Sequence, residues 1–265
     1  MTILEHLAEL RDRLIKSCAA LVITSLVAFF VLYNPALKLL TTSYCHLPAK
    51  YRFANAAGVA RCQLLATSPL DPFGIRLRVS AVLGLALAMP IVAFQIWRFI
   101  TPGLKRRERR YAIPFSLATT LLFVFGLGMA FFTLPKAIGF LVGIGGTNLL
   151  SLFTADEYLR FVFFMGLAFG ITFEFPLVLV ALSMAGVLSS RAMIKAWRPA
   201  VVIIIVVAAV ITPSQDPISL FAMAIPMWVF YFATAGVARF LIEPGRARRQ
   251  AQREAEMLTS SKPPE

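Results

Sequence analysis

Apolar residues occur in six long runs, and a polar segment separates each run from the next. A run of about 20 apolar residues is long enough to cross the roughly 30 Å hydrocarbon core of a bilayer as a helix. We therefore predict an all-α integral membrane protein with six transmembrane helices. The predicted spans lie near residues 15–33, 75–97, 111–134, 159–185, 200–211 and 218–238.

Composition supports a membrane protein. The 265 residues are 59% hydrophobic and 15% charged, and the mean hydropathy is +0.78. A soluble domain of this length would not carry repeated apolar runs of this kind. We predict one six-span membrane domain over residues 1–240 and a basic cytoplasmic tail over 241–265, which we expect to be disordered.

The basic residues predict the orientation of the spans. Most of the 26 Lys and Arg residues lie in segments 1–16, 98–110, 186–198 and the tail, whereas the alternate loops hold few. Positively charged loops stay in the cytoplasm, so both termini are predicted to be cytoplasmic. The net charge of +13 is then mainly a topology signal. A nucleic-acid interface is the weaker interpretation because no nucleic-acid-binding fold is visible.

Spans five and six are predicted to be short. Between Pro199 and Pro213 only 12 residues are apolar, which is about 18 Å of helix. Either the helix extends back through Met193–Trp197, or the bilayer thins beside it. Both alternatives remain open at this point.

An amphipathic helix is predicted over residues 2–14, ahead of the first span. It would lie along the inner membrane surface. Glu9 precedes Arg13 by four residues, which is the spacing of a favourable helical ion pair. The alternative is a carboxylate offered to a cationic ligand, and spacing alone favours the ion pair. The apolar face recurs at steps of three and four residues: Ile3, Leu7, Leu10 and Leu14.

The first inner loop contains a single acid within a dense basic run. Pro102 and Gly103 break the helix, and Glu108 follows among Arg106, Arg107, Arg109 and Arg110. Glu108 either reduces repulsion among these arginines or binds the guanidinium of a ligand through two parallel hydrogen bonds. Composition does not separate the two.

Glu174 is the only charged residue between Phe161 and Ala181. A carboxylate at that depth is costly unless it is protonated or paired, and buried acids in membrane spans are usually functional. Pro176 weakens the helix two residues later. An internal hydrogen bond that holds the bundle together is the alternative role.

Two of the three cysteines fall in the long first outer loop. Because the outer face is oxidising, we predict a Cys45–Cys62 disulfide, with two unpaired thiols as the alternative. The chain has only two histidines, His6 and His46, and no Cys/His cluster with metal-ligand spacing, so no metal site is predicted.

The sequence gives little support for three classes of membrane protein: small-molecule transporters, enzymes and insertases. A proton-coupled small-molecule transporter could use Glu174 as its proton carrier. However, six spans without an evident internal repeat and with one deeply buried acid provide few groups to line a substrate pathway. An enzyme would need a nucleophile, a base or a metal cluster near an interface, and none is visible. A membrane insertase would be favoured by a buried cation, whereas the buried charge here is an acid.

Four motifs in order resemble the TatC family, the multi-spanning core receptor of the twin-arginine protein translocase. They are HLAELRDRL before span one, FQIWRFITPGLKRRERR after span two, FGITFEFP in span four, and ITPSQDP followed by AIPM at span six. The resemblance runs from His6 to about Phe240. Each motif alone is weak, but their order and spacing on six spans are specific.

The resemblance implies the receptor of signal peptides with two adjacent arginines. Such peptides direct folded cargo across the cytoplasmic membrane, driven by the proton gradient. The family's recognition carboxylates match Glu9 and Glu108, which reverses the spacing-based preference for Glu9. Their motif neighbours complete the implied signal-peptide site: Leu10, Arg11, Pro102 and Leu104. The implied intramembrane coupling or partner-binding residues are Phe173, Glu174, Pro176 and Asp216.

The resemblance also implies partners, and this chain departs from the family's sequence pattern at two places. The expected partners are TatA- and TatB-like single-span membrane proteins, further copies of the chain and the lipid bilayer, with no cofactor, no nucleic acid and no enzymatic activity. Many relatives carry a Glu and then a Lys near the outer start of span two, where this chain has Asp71, Arg76 and Arg78. Some relatives carry a Gln in span six, where this chain has Leu220.

Overall fold

The structure is a computed structural model that describes residues 3–45, 65–100, 112–144, 154–213 and 216–242. Of these residues 91% are helical, and β-structure in the described part is limited to an isolated bridge between Leu65 and Thr154. The α-helices are α1 (Ile3–Val27), α2 (Tyr33–Cys45), α3 (Asp71–Ile100), α4 (Ala112–Ile144), α5 (Ala155–Thr172), α6 (Phe175–Ala185), α7 (Ser190–Lys195), α8 (Trp197–Ile211) and α9 (Pro217–Val237). Two π-helical segments, Ala28–Leu32 and Ala238–Ile242, follow α1 and α9.

The described helices confirm the all-α membrane class. Five helical segments are long and apolar enough to cross a bilayer, and α8 is a shorter apolar helix. Large apolar side chains point away from the protein along these helices; Phe132 and Val210, for example, are 77% and 78% exposed. Lipid is the solvent that such surfaces require.

Two helix lengths differ from the sequence prediction. The amphipathic segment and the first span form one continuous helix, because no Gly or Pro occurs before Pro35 to end it. Span six is not short: it runs from Pro217 to Phe240 over 24 residues, since the helix continues through Pro226. Span five is short as predicted, with 15 residues in α8, or about 22 Å.

The fourth span is interrupted at Glu174. Helix α5 ends at Thr172 and α6 begins at Phe175. Pro176 has no amide hydrogen and its ring would clash with the carbonyl four residues earlier in a continuous helix. Here it lies in the first turn of α6, where no such hydrogen bond is required. The predicted weakening of the helix by Pro176 is thus a complete break.

Helix ends in this region carry side-chain caps. Thr154 and Glu157 form a reciprocal capping box at the start of α5. Ser189 accepts a hydrogen bond from the Ala192 amide at 3.2 Å at the start of α7. Gly186 ends α6 with a positive φ of 86°, a conformation that a residue without a Cβ adopts readily.

The chain divides into two compact units. The first contains the described part of residues 1–174 together with Ala208–Met223, and the second contains Phe175–Val207 and the described part of 224–265. In the first unit α1 packs along α3, and α4 packs between α3 and α5. In the second, the Tyr231 hydroxyl donates to the Met193 carbonyl at 2.8 Å and ties α7 to α9.

Close helix crossings shape the first unit. A Cβ on Gly84 would lie 2.6 Å from the Ser25 Cα, and a Cβ on Gly126 would lie 2.8 Å from the Phe169 carbonyl oxygen. Small residues let backbones approach closely in membrane bundles. These two glycines therefore set the α1–α3 and α4–α5 contacts.

Candidate functional site

Glu9 lies on α1, and its carboxylate has a partner on the same helix. Glu9 Oε1 accepts hydrogen bonds from Arg13 Nε at 3.1 Å and from a second Arg13 nitrogen. Arg13 also donates to Gln95 Oε1 of α3 at 3.4 Å. The Glu9 side chain is 22% exposed and the Arg13 side chain 15%. The helical ion pair expected from spacing is present, and Gln95 extends it across to the second span.

The neighbours of Glu9 on α1 are more exposed. The Arg11 side chain is 74% exposed and makes a long contact of 3.5 Å with Asp12. Leu10 is 42% exposed. Both side chains are therefore accessible to a ligand or to lipid at this end of α1.

Three of the implied signal-peptide residues, Pro102, Leu104 and Glu108, lie outside the described residues. Their approach to Glu9 stays a prediction.

Glu174 occupies the break between α5 and α6, with Thr119 of α4 as its polar neighbour. The Thr119 hydroxyl lies near the Glu174 carboxylate. The same hydroxyl accepts a hydrogen bond from Trp97 Nε1 of α3 at 2.7 Å. Glu174 Oε1 is buried with no hydrogen-bond partner among the described residues. Trp97, Thr119 and Glu174 thus bring polar groups of three spans near one another.

The depth of Glu174 follows from the helix around it. It precedes the inner end of α6, Ala185, by 11 residues, or about 16 Å of rise. Along the span Ala155–Ala185, Glu174 is therefore closer to the inner end than to the outer end.

Phe173 and Pro176 support the break. Phe173 is fully buried; its ring stacks on Phe169 at 6.3 Å and lies against Phe125 at 5.5 Å between centroids. Because Phe173 is fixed by these contacts, it holds the backbone of the next residue, Glu174, in place. The Glu174 amide donates to the Ile171 carbonyl at 3.1 Å. Both residues position the carboxylate.

Asp216 is buried and caps α9. Its Oδ1 accepts the Ser219 amide at 2.8 Å, and only 1% of the residue is exposed. Pro217 occupies the first helical position, where a missing amide hydrogen costs nothing. A capping carboxylate interacts favourably with the helix N-terminus. The structure gives Asp216 this structural role; a partner-binding role stays a prediction.

The acid and cations at the outer start of span two also have structural partners. Asp71 Oδ2 accepts the Thr67 and Ser68 amides, each at 2.8 Å. Arg76 donates to the Phe29 carbonyl from Nε at 3.2 Å and from a terminal nitrogen at 2.9 Å. That carbonyl lies in the first π-helical segment, where the regular hydrogen-bond ladder is disturbed. Arg78 pairs with Asp156 of α5.

Cys62 lies outside the described residues, so the Cys45–Cys62 disulfide stays a prediction. Cys45 ends α2, close to Tyr44, whose ring lies 5.5 Å from that of Tyr158. In the described part of the chain no three His, Cys, Asp or Glu residues come close enough together to hold a metal ion.

Sequence reasoning missed Gln95, Trp97 and Thr119 as members of the site. All three carry hydrogen-bonding groups near or within apolar spans, where a polar group must find an internal partner. That signal is present in FQIWRF and in the SLATT segment of α4. The partners themselves come from different helices, which no local pattern identifies.

Comparisons with known proteins agree with the fold and the motifs. The family model described as Sec-independent protein translocase protein (TatC) matches residues 5–226. A TatC protein of Frankia casuarinae is 39% identical over 234 residues, covering 87% of this chain and 64% of the relative. A TatC protein of Corynebacterium kroppenstedtii is 36% identical, covering 86% of this chain and 59% of the relative. The chain thus spans less than two thirds of the length of these two relatives.

Other relatives are covered more completely. A TatC protein of Koribacter versatilis is 34% identical over 265 residues, covering 95% of this chain and 90% of the relative. Among solved structures, a crystal structure of the twin-arginine translocase receptor TatC matches with a TM-score of 0.71 and 34% identity. It covers 88% of this chain and 99% of that one.

The matched structure has six transmembrane helices, as predicted for this chain. The helices and the relatives together make the chain a multi-pass protein of the cytoplasmic membrane. A family model that matches residues 5–226, and relatives above 30% identity over most of the chain, establish that it belongs to the TatC family of Sec-independent protein translocase components.

Proposed function

We propose that this chain is the signal-peptide receptor and core subunit of a twin-arginine translocase that exports folded proteins. The observation that carries the proposal is Glu9: a partly exposed carboxylate in the family's N-terminal motif, on the charged end of α1. Family membership and the resemblance of HLAELRDRL and GLKRRERR to the family's recognition segments support it.

The chemistry suits a double guanidinium. An arginine binds a carboxylate through two parallel hydrogen bonds, and a lysine does not reproduce that geometry. Two arginines in sequence need two acids on one membrane face, and Glu9 and Glu108 are both predicted to be cytoplasmic. Arg13 shows that the Glu9 carboxylate accepts a guanidinium in this environment.

Glu174 has a separate role in this proposal. It sits about 16 Å of helix rise from the inner end of its span, beyond the reach of an arginine at the aqueous surface. A polar group on the transmembrane helix of a TatA- or TatB-like partner is a suitable ligand for the buried Oε1. Glu174 would then couple partner assembly, and use of the proton gradient, to a signal peptide held at the inner face.

The experiment measures binding of a twin-arginine signal peptide to the full-length protein in vesicles by site-specific photocrosslinking. Glu9→Gln and Glu108→Gln are each expected to weaken binding about tenfold, since a charge-assisted hydrogen bond contributes about 1.5–3 kcal/mol. Asp12→Asn is the matched control: it removes the same charge on the same helix, from a side chain that is 61% exposed, and should change binding less than about twofold.

A twin-lysine peptide should bind weakly to every variant, and high salt should weaken twin-arginine binding because exposed ion pairs are screened. Unchanged twin-arginine binding in the Glu9→Gln/Glu108→Gln double variant would contradict the recognition site. Transport of a small solute, with no export of a folded reporter, would favour a proton-coupled transporter instead.

A further inference from the structure

A basic cavity opens at the inner end of the second unit. Its volume is about 380 Å³, and it is lined by Ser190, Arg191, Ile194, Lys195 and Arg239. That volume lies within the range of roughly 300–1,000 Å³ found for small-molecule sites. Three of its five lining residues are cations from two separate elements, α7 and the π-helical segment that follows α9.

The described residues of this unit supply no carboxylate to balance these cations. The described residues of the second unit, 175–207 and 224–242, contain no Asp or Glu at all. Arg191 and Lys195 stand four residues apart on one helix, so they face the same way and repel each other. Arg239 adds a third positive charge. A bound anion would relieve this repulsion and is the ligand that the charges favour.

Contacts on the buried side of α7 hold the cavity in shape. Met193, on the opposite side of α7, is 1% exposed. Its carbonyl accepts the Tyr231 hydroxyl of α9, and the Ser189 cap fixes the start of α7. The short helix is therefore anchored to α9, whose π-helical extension carries Arg239. The arrangement of the three cations is therefore set by helical segments and not by a loop.

The surroundings indicate that the anion comes from a lipid. Ile194 and Trp197 are each 45% exposed, and Phe240 is 74% exposed. The Arg198 guanidinium lies over the Trp197 ring at 5.5 Å. Aromatic side chains beside cations are typical of the membrane interface, where acyl chains and headgroups are both in reach. A free anion would gain nothing from these apolar neighbours.

We propose that this cavity binds the phosphate of an anionic phospholipid headgroup in the inner leaflet. The two guanidinium groups can each hold phosphate oxygens through paired hydrogen bonds, and the Lys195 ammonium adds a point charge. Basic pockets between helices on the cytoplasmic side are suited to such headgroups. The lipid would fill the recess between α7 and the end of α9 and neutralise its charge.

The test uses the full-length protein, delipidated in a neutral detergent so that no charged membrane surface contributes. Phosphatidylglycerol, phosphatidylcholine and inorganic phosphate are titrated separately, and bound species are counted by native mass spectrometry. Phosphatidylglycerol should bind tightly in one equivalent, and the other two at least about tenfold more weakly. The triple variant Arg191→Gln/Lys195→Gln/Arg239→Gln should lose at least about 100-fold in phosphatidylglycerol affinity.

A matched triple variant, Arg11→Gln/Lys16→Gln/Arg98→Gln, removes the same charge from the same membrane face without touching the cavity lining. Its affinity should change less than about threefold. Arg239→Gln alone guards against a misfolded α7, since it changes only the other element; it should weaken phosphatidylglycerol binding about tenfold.

Three results would overturn the proposal. Equal affinity for phosphatidylcholine would remove the role of charge, and equal affinity for inorganic phosphate would assign the cavity to a free anion. An equal loss in the matched triple variant would reduce the cluster to a general topology signal. Each readout is independent of signal-peptide binding and export.

Discussion

Arg13 Nε donates to Glu9 Oε1 at 3.1 Å, one helical turn apart on α1. The acid that the family resemblance assigns to a peptide arginine is therefore already paired with an arginine of its own helix. A signal peptide must compete with Arg13 or share Glu9 with it. Such i,i+4 pairs contribute only about 0.3–0.5 kcal/mol, so an arginine of the peptide can displace Arg13 from Glu9 at a small cost in free energy.

Arg13→Gln removes this competitor and should strengthen twin-arginine peptide binding about twofold, the equivalent of one i,i+4 helical ion pair. Equilibrium binding of a fluorescent signal peptide measures the change. Lys16→Gln is the control, because it removes a charge from the same helix at an exposed position and should leave the affinity unchanged. Weaker binding in Arg13→Gln would mean that Arg13 positions Glu9 for the peptide.

Glu174→Ala should leave twin-arginine peptide crosslinking within about twofold of wild type and lower export of a folded reporter about tenfold or more. The physical reason is depth: the carboxylate lies within an apolar span, where the loss of a hydrogen bond to a partner helix costs more free energy than it would in water. Glu174→Gln should be milder, because the amide keeps hydrogen-bonding capacity. Loss of arginine-pair crosslinking in Glu174→Ala, or equal damage by Gln and Ala, would contradict this division of roles.

Thr119→Val should lower the free energy of unfolding by about 1–3 kcal/mol, because it leaves the buried Trp97 Nε1 hydrogen without its acceptor. Thr120→Val is the matched control. The Thr120 hydroxyl donates only to the Ser116 carbonyl of its own helix at 2.9 Å, so that change should stay within about 0.5 kcal/mol. Denaturant unfolding in mixed micelles measures both, and similar values would show that the Trp97–Thr119 bond contributes nothing.

Gly126→Ala should separate α4 from α5 and lower the melting temperature, because the added Cβ would lie 2.8 Å from the Phe169 carbonyl oxygen, which is backbone and cannot rotate away. Gly128→Ala, two residues further along the same helix, meets no atom within 4 Å. It should be neutral or slightly stabilising, since Ala favours helix over Gly. Thermal unfolding of the two variants in one detergent makes the comparison, and equal melting temperatures would contradict the close crossing.

The Cys45–Cys62 disulfide should be found by mass spectrometry of non-reduced peptides from protein isolated from intact membranes. Both cysteines belong to the predicted outer loop, where thiols oxidise. Closing this loop should add roughly 3 kcal/mol of local stability. Alkylation of both thiols before denaturation would refute the pairing without bearing on the function.

Local patterns were sufficient for the helices. The apolar runs predicted six spans, the short fifth span followed from Pro199 and Pro213, and Pro176 marked the interruption beside Glu174. These features depend on nearest neighbours and on length, because a helix satisfies its own backbone and a proline removes one hydrogen bond from it. Two features differed from the prediction because a helix end that we expected is absent: α1 is continuous with the first span, and the helix of span six continues through Pro226.

The partners of the functional acids were decided by tertiary structure alone. Arg13 reaches Gln95 across 82 residues, and Thr119 of α4 lies near Glu174, which follows α5. Arg239 joins Arg191 and Lys195 where α7 packs against the end of α9, and the Tyr231 hydrogen bond ties these two helices together. Periodicity reports which face of a helix is polar, but not which helix lies opposite. The sequence alone therefore determined the helices, their orientation and the acids, and the packing of helix against helix determined what those acids and cations face.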